Sequence, residues 1–242
     1  MRASAAVAIV GTALLVSLAA LSADTFPASG GDIEITPLIH ASVQIEHAGR
    51  IIHVDPWRQG DYSQAKQADL ILVTDTANDH FDLEAIKKVR KPGTSVVIPA
   101  AAKDQVPDGT VVEIGETKTV AGISVQSVAS YDLRPGEPFH PKGRARGYIV
   151  TLGGKRVYFS GTTECVPEIK ELKGIDIAFV PFNSPNGRMT PQAAADCVKT
   201  FKPKVVYAYH YRAGKVADFK EALKGEPVDV RVVEWYPNGV RR

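Results

Sequence analysis

Cysteine is scarce in this chain of 242 residues, which contains only Cys165 and Cys197. Two thiols can pair in an oxidising compartment, but they cannot build the framework of several disulfides on which many small secreted domains depend. Neither cysteine belongs to a Cys-x-x-Cys motif. We interpret both as structural, so the chemistry of the protein must rest on other residues.

An excess of one charge is also lacking. The 29 basic and 27 acidic residues leave a formal net charge of +2, and the one basic cluster is Lys142-Gly-Arg-Ala-Arg146. This balance gives no electrostatic case for nucleic-acid binding. We therefore expect a small-molecule substrate, and the oligomeric state stays open.

Long apolar runs are absent, with one exception at the start of the chain. Residues 5–21 are rich in Ala, Leu and Val, follow a single positive residue and lead into small residues. This pattern predicts a signal peptide over residues 1–23, a single domain over 24–242, and a periplasmic or secreted protein without a stable membrane span after cleavage. The alternative is an uncleaved N-terminal anchor, although the run is short for a spanning helix.

One stretch combines a buried strand with side chains that bind metals. Residues 70–73 are apolar and largely branched, and they end in a polar loop that contains Asp75, Asp79 and His80. A helical pattern resumes at residue 82. A carboxylate beside an imidazole at the carboxyl end of a strand suits Zn²⁺, Mn²⁺ or Fe²⁺. The alternative is a solvated turn in which Asp75 or Asp79 caps the following helix.

Other predicted strands also end in residues that can bind a metal or move protons: Asp55, Asp132, Thr162, Glu164 and His210. Any one of these is weak evidence, but strand ends can converge on one cleft, so their repeated placement indicates a site. A turn-rich loop at 183–187 is expected beside the same edge.

The spacing of apolar residues indicates the fold class. Helices are predicted over 82–90, from 190 and over 216–223, and a long polar loop over 131–146. Strands are predicted over 33–40, 41–47, 51–55, 70–73, 95–99, 110–114, 117–120, 123–129, 147–152, 155–159, 175–181, 205–209 and 228–234. This order predicts an α/β protein with two packed sheets and helices outside them, an αββα four-layer sandwich.

Six motifs lie between residues 35 and 212: Ile39-His-Ala-Ser-Val, Ile52-His-Val-Asp-Pro56, Thr74-Asp-Thr-Ala-Asn-Asp-His80, Phe139-His-Pro-Lys-Gly143, Tyr158-Phe-Ser-Gly-Thr-Thr-Glu164 and Ala208-Tyr-His-Tyr211. Together they resemble the metallo-β-lactamase superfamily, in particular the branch of the ascorbate-6-phosphate lactonases and the N-acylphosphatidylethanolamine phospholipases D. The resemblance implies the same αββα fold and a metal-dependent hydrolase.

The chain departs from that family at the metal ligands. Two histidines of the family's first motif are Asp75 and Ala77 here, and Ala77 has no atom that can bind a metal. The family's mid-chain histidine falls near Asp132, with His140 as an alternative. Its bridging aspartate is Thr162, whose neutral hydroxyl is a poor ligand. A pair of metals is therefore not expected.

The ligands of the family's second metal are retained. The resemblance implies one divalent ion, zinc or manganese, held by Asp79, His80 and His210, with Asp75, His140 and Asp132 as further candidate ligands. The candidate catalytic carboxylates are Asp79, Asp75 and Glu164. Residues expected around the site or near the substrate are His40, Asp55, Thr162, Lys142 and Tyr211.

Two functions follow from this pattern. The first is metal-dependent hydrolysis of a small ester, lactone or phosphoester. The alternative is a catalytically inactive binding protein on the same fold, whose metal site has decayed and which holds no metal.

Overall fold

Two seven-stranded β-sheets face each other, each with its strands in the order of the chain. The computed structural model describes residues 23–133, 139–182, 189–211 and 215–236. The predicted signal peptide, apart from its last residue, and the loop at 183–187 lie outside the described residues. In the described ranges, no helix is both long and apolar enough to cross a membrane.

The first sheet contains β1 Asp24–Phe26, β2 Ile33–Ile39, β3 Ser42–His47, β4 Arg50–Val54, β5 Ala68–Leu72, β6 Arg90–Ile98 and β7 Thr110–Val111. The second contains β8 Thr117–Val120, β9 Ile123–Ser130, β10 Ala145–Leu152, β11 Lys155–Phe159, β12 Ile177–Pro181, β13 Val205–Tyr209 and β14 Asp229–Arg231. The helices are α1 Leu83–Val89, a 3-10 turn Ala100–Ala102, α2 Pro167–Lys170, α3 Pro191–Phe201 and α4 Val216–Ala222.

Both sheets follow the same plan. In the first, β1 to β4 pair antiparallel and β4 to β7 pair parallel. In the second, β8 to β11 pair antiparallel and β11 to β14 pair parallel. Neighbouring parallel strands end at the same edge, which is where α/β proteins collect functional side chains.

Alternation along β5 shows how the layers form. Leu70 and Leu72 belong to the core that also holds the inner residues of the second sheet, whereas Ile71 belongs to a separate cluster with Ile86 and Val89 of α1. Successive side chains of a strand point to opposite faces, so an uninterrupted apolar run serves both layers. The predicted αββα sandwich is confirmed.

The helix starts are set by local chemistry. Asp82 caps α1 by accepting hydrogen bonds from the backbone N–H groups of Glu84 and Ala85 at 3.1 and 3.2 Å. The alternative cap at Asp75 or Asp79 is therefore wrong. Thr190 caps α3, as its sequence predicted, by accepting from Ala193 N–H at 3.1 Å.

Some boundaries differ from the prediction. The strand β1 was not predicted, because three half-exposed residues carry no clear alternation. The last strand is only Asp229–Arg231, and the polar loop after β9 is shorter because β10 begins at Ala145. Cys165 and Cys197 form a disulfide that joins the segment after β11 to α3.

Candidate metal centre

The site lies where strand ends of both sheets meet. His40 follows β2, His80 lies in the loop after β5, and His210 follows β13. The backbone N–H of His210 donates to the carbonyl of His40 at 3.1 Å, which joins the two sheets directly at this edge. His40, Asp55 and His210 adopt left-handed backbone conformations, with φ of 56°, 43° and 51°. Such conformations are costly for residues with a side chain and cluster at functional sites.

Four residues present one potential ligand atom each, and these atoms lie within 4.8 Å of one another: His40, Asp79, His80 and His210. We call them the four-residue group. The three imidazoles are buried, whereas the Asp79 side chain keeps 18% of its surface exposed. The three residues that match the family's second metal site are thus brought together: Asp79, His80 and His210.

The orientation of His80 is held by a buried carboxylate. Its Nδ1 lies 2.7 Å from Oδ2 of Asp55, and this Asp55 oxygen also accepts from the hydroxyl of Thr74 at 2.6 Å. Since the carboxylate accepts, the proton of this contact is on Nδ1, and Nε2 faces the centre of the group. There it lies 3.0 Å from Nε2 of His210 and 3.0 Å from the hydroxyl of Thr162.

Charge around the group shifts two pKa values. Burial lowers the pKa of His80, but Asp55, with further contributions from Asp79 and Asp75, outweighs it and raises that pKa to about 9. Burial raises the pKa of Asp79, but the hydrogen bond from His40 and the charges of His80 and His210 hold it well below its usual range. Asp79 is therefore the ionised carboxylate that a metal ion requires.

The donor set fits one divalent metal. Two imidazoles and a carboxylate, from His80, His210 and Asp79, suit zinc and manganese alike. With Zn–N bonds near 2.0–2.1 Å, two nitrogens on a tetrahedral zinc lie roughly 3.3 Å apart, close to the 3.0 Å between the Nε2 atoms of His80 and His210. Asp55 supplies the carboxylate partner that metal-binding histidines commonly have.

A second polar cluster contains three of the other candidate ligands. Nε2 of His140 lies 3.2 Å from Oδ2 of Asp75, and its Nδ1 lies 3.5 Å from Oδ2 of Asp132. The guanidinium of Arg144 donates to Oδ1 of Asp75 at 3.1 Å. Asp75, His140 and Asp132 therefore lie together, but outside the four-residue group. The carboxylate of Asp75 thus faces an arginine on one oxygen and His140 on the other.

The remaining predicted site residues have these positions. Glu164 accepts a hydrogen bond from the backbone N–H of Leu133. Lys142 is exposed and pairs with Glu168 at 2.7 Å. Tyr211 is buried, and its ring lies 5.1 Å from that of Tyr236. None of these three belongs to the four-residue group.

Sequence reasoning missed three features of the site. His40 was expected around the centre, yet its Nε2 lies 3.1 Å from Oδ2 of Asp79 within the four-residue group. Thr74 was not singled out, although its position at the end of β5 was a usable signal. Tyr236, whose hydroxyl lies 2.6 Å from Nδ1 of His40, comes from the chain end beyond every motif.

Comparisons with known proteins agree with this fold. A crystal structure described as a metal-dependent hydrolase from Parabacteroides distasonis is 37% identical, covers 89% of this chain and 99% of its own, and superposes with a TM-score of 0.84. A UPF0173 metal-dependent hydrolase from Thermococcus onnurineus is 27% identical over 221 residues, 84% of this chain and 96% of its own. The metallo hydrolase Igni18 from Ignicoccus hospitalis, 22% identical with a TM-score of 0.69 over 84% of this chain and 95% of its own, shares the fold.

The narrower likeness to the lactonase and phospholipase branch stays a prediction. A family model described as the beta-lactamase superfamily domain matches residues 34–210, which make up most of the chain. The chain therefore belongs to the metallo-β-lactamase superfamily.

Proposed function

We propose that the protein is a hydrolase that uses one divalent metal, zinc or manganese, to cleave a small ester, lactone or phosphoester. The observation that carries this proposal is the four-residue group, together with the hydrogen bond from His80 Nδ1 to Asp55 that turns Nε2 of His80 toward His210. The names of the relatives from Parabacteroides distasonis and Thermococcus onnurineus both contain the words metal-dependent hydrolase, which supports the reaction class.

Asp79, His80 and His210 would hold the metal, with His40 beside them. When bound, the metal supplies a Lewis acid for a carbonyl or phosphoryl oxygen. Asp55 keeps the proton of His80 on Nδ1, so that Nε2 is the ligand atom. Asp79 would serve as a ligand, because one of its oxygens lies within 4.8 Å of the ring nitrogens of His80 and His210.

A single metal is favoured over a pair by three residues. Ala77 and Thr162 stand where the family has two ligands. Arg144 donates to Asp75, the residue that replaces a third. A guanidinium cannot lose its proton in a protein and cannot bind a metal, so its charge balances Asp75 in place of an ion.

The same three residues favour the second candidate function, a binding protein without catalysis. If losing these ligands also abolished turnover, the four-residue group would hold a structural metal or none. Metal content and turnover separate the two candidates.

We also propose a location. The signal peptide would be cleaved after about residue 23, and the mature protein would be released to the periplasm or the medium. The disulfide between Cys165 and Cys197 supports it, because disulfides persist in oxidising compartments. Cell fractionation with intact-mass measurement tests it, and retention of the full chain in the membrane would favour the anchor.

The primary experiment is metal analysis of protein purified without a histidine tag. We expect about one zinc or manganese per chain, lost in His210→Ala and kept in His47→Ala, which removes an imidazole from the first hairpin. Loaded protein is then screened against esters, lactones and phosphodiesters, with His210→Ala as the blank. No metal in the native protein rules out the metal-dependent hydrolase, and one metal without turnover favours the structural site.

A further inference from the structure

Tyr236 reaches the four-residue group through His40. Its hydroxyl lies 2.6 Å from Nδ1 of His40, and the other ring nitrogen, Nε2, lies 3.1 Å from Oδ2 of Asp79. Both rings are buried, with 1% of His40 and 3% of Tyr236 exposed. The three side chains thus form one row from the chain end to a proposed metal ligand.

The direction of the hydrogen bonds follows from the chemistry of the groups. The Asp79 carboxylate only accepts, so the contact at Nε2 requires a proton on that nitrogen. When the ring of His40 is neutral, its Nδ1 offers a lone pair, and Tyr236 can donate its O–H to it. In this arrangement the hydroxyl selects the tautomer with which His40 holds the Asp79 carboxylate.

The backbone fixes where this hydroxyl lies. The N–H of His40 donates to the carbonyl of Trp235 at 3.2 Å, and the indole N–H of Trp235 donates to the carbonyl of Ala208 at 2.7 Å. Trp235 therefore ties the last described segment to the ends of β2 and β13. These bonds hold the backbone next to Tyr236 in place, and this helps to position its hydroxyl.

We propose that Tyr236 is a positioning residue of the metal centre: its hydroxyl fixes the ring of His40, which in turn orients the Asp79 carboxylate toward His80 and His210. This inference rests on the proposed function as far as the metal is concerned. The contact between Tyr236 and His40 involves no metal, so it can be tested in protein from which metal has been removed.

The first test is metal binding by Tyr236→Phe, which keeps the ring and removes only the hydroxyl. Losing the hydrogen-bond partner of a metal ligand weakens metal binding about 10- to 100-fold, and Tyr236 acts on the ligand Asp79 through His40. We expect a weakening of about tenfold, and an altered absorption spectrum of the cobalt-substituted protein. The matched control is Tyr158→Phe, which removes a buried hydroxyl that has no hydrogen-bond partner in the described part of the chain. Equal affinities and spectra in both variants would overturn the inference.

The second test uses ¹⁵N NMR of the histidine rings in metal-free protein. Native His40 should show a protonated Nε2 and a hydrogen-bonded Nδ1, and Tyr236→Phe should shift the Nδ1 signal while Tyr158→Phe does not. An unchanged His40 signal rejects the positioning role, whether or not the native protein binds metal. A native protein that binds no metal rejects the proposed function, and the NMR result then decides the positioning role alone.

Discussion

Asp55 and His80 form a buried pair in which the carboxylate Oδ2 lies 2.7 Å from the imidazole Nδ1. Both side chains are almost completely removed from solvent. The hydroxyl and N–H of Thr74 satisfy the carboxylate further, at 2.6 and 2.7 Å. The residue that directly follows β4 thereby determines which nitrogen of His80 faces the proposed metal.

Asp55→Asn should weaken metal binding about 10- to 100-fold, because the neutral amide makes His80 a less basic ligand. Asp69→Asn, on β5 and away from the group, is the matched control and should bind metal as the native protein does. Titration with a fluorescent zinc chelator measures both. Native affinity in Asp55→Asn would mean that Asp55 only stabilises the fold.

Arg144 and Asp75 should show a measurable coupling energy. Asp75 is buried, and Arg144→Gln removes its guanidinium partner while the ring of His140 remains. We expect Arg144→Gln to lower the free energy of unfolding by about 1–3 kcal/mol. A double-mutant cycle with Asp75→Asn, followed by urea denaturation, should give a coupling of about 1–2 kcal/mol. Strictly additive variants would contradict the pairing.

His53 should make the protein sensitive to acid. Burial, partly offset by the hydrogen bond to the carbonyl of Lys66, lowers the pKa of His53 from 6.5 to about 4. Between these values the unfolded chain binds a proton that the folded protein does not. Stability is therefore retained above pH 6.5 and falls as the pH drops toward 4, by on the order of 3 kcal/mol.

His53→Gln should flatten the stability profile between pH 6.5 and 4, whatever its effect at pH 7. Urea denaturation at several pH values gives the slope. His47→Gln, on the neighbouring strand, controls for the loss of an imidazole and should keep the native slope. A native-like slope in His53→Gln would assign the acid sensitivity to other groups.

The disulfide should contribute to stability. The cysteines are 32 residues apart in sequence, and closing a loop of that size stabilises a fold by about 3–4 kcal/mol in the chain-entropy model. The double variant Cys165→Ser, Cys197→Ser should lose about this much free energy of unfolding. Reductant should destabilise the native protein and leave the variant unaffected; equal effects on both would argue against the bond.

The sequence indicated the three central candidate ligands in two ways. Asp79 and His80 follow an apolar run that predicts a buried strand, and His210 follows another. The resemblance to the metallo-β-lactamase superfamily then implied that these three residues hold one metal. Parallel strands of one sheet end at a common edge, but His210 follows a strand of the second sheet, so its approach to Asp79 and His80 depends on how the two sheets pack.

Contacts that depend on exact placement were not predictable. The basic residues Lys142, Arg144 and Arg146 look alike in the sequence, yet the structure pairs them with Glu168, Asp75 and Glu113 respectively. Charge complementarity allows any of these pairings, and only the register of β10 and the path of the loop before it select one. His40 likewise belongs to the group, and its backbone there is left-handed, a conformation that the sequence did not predict.

The two sheets supply the proposed metal site unequally. His40, Asp79 and His80 follow strands of the first sheet, whereas His210 follows a strand of the second. Neither half of the molecule can complete the site by itself. A metal bound there would link the two sheets. Its binding energy would add to the free energy that keeps the sheets packed together.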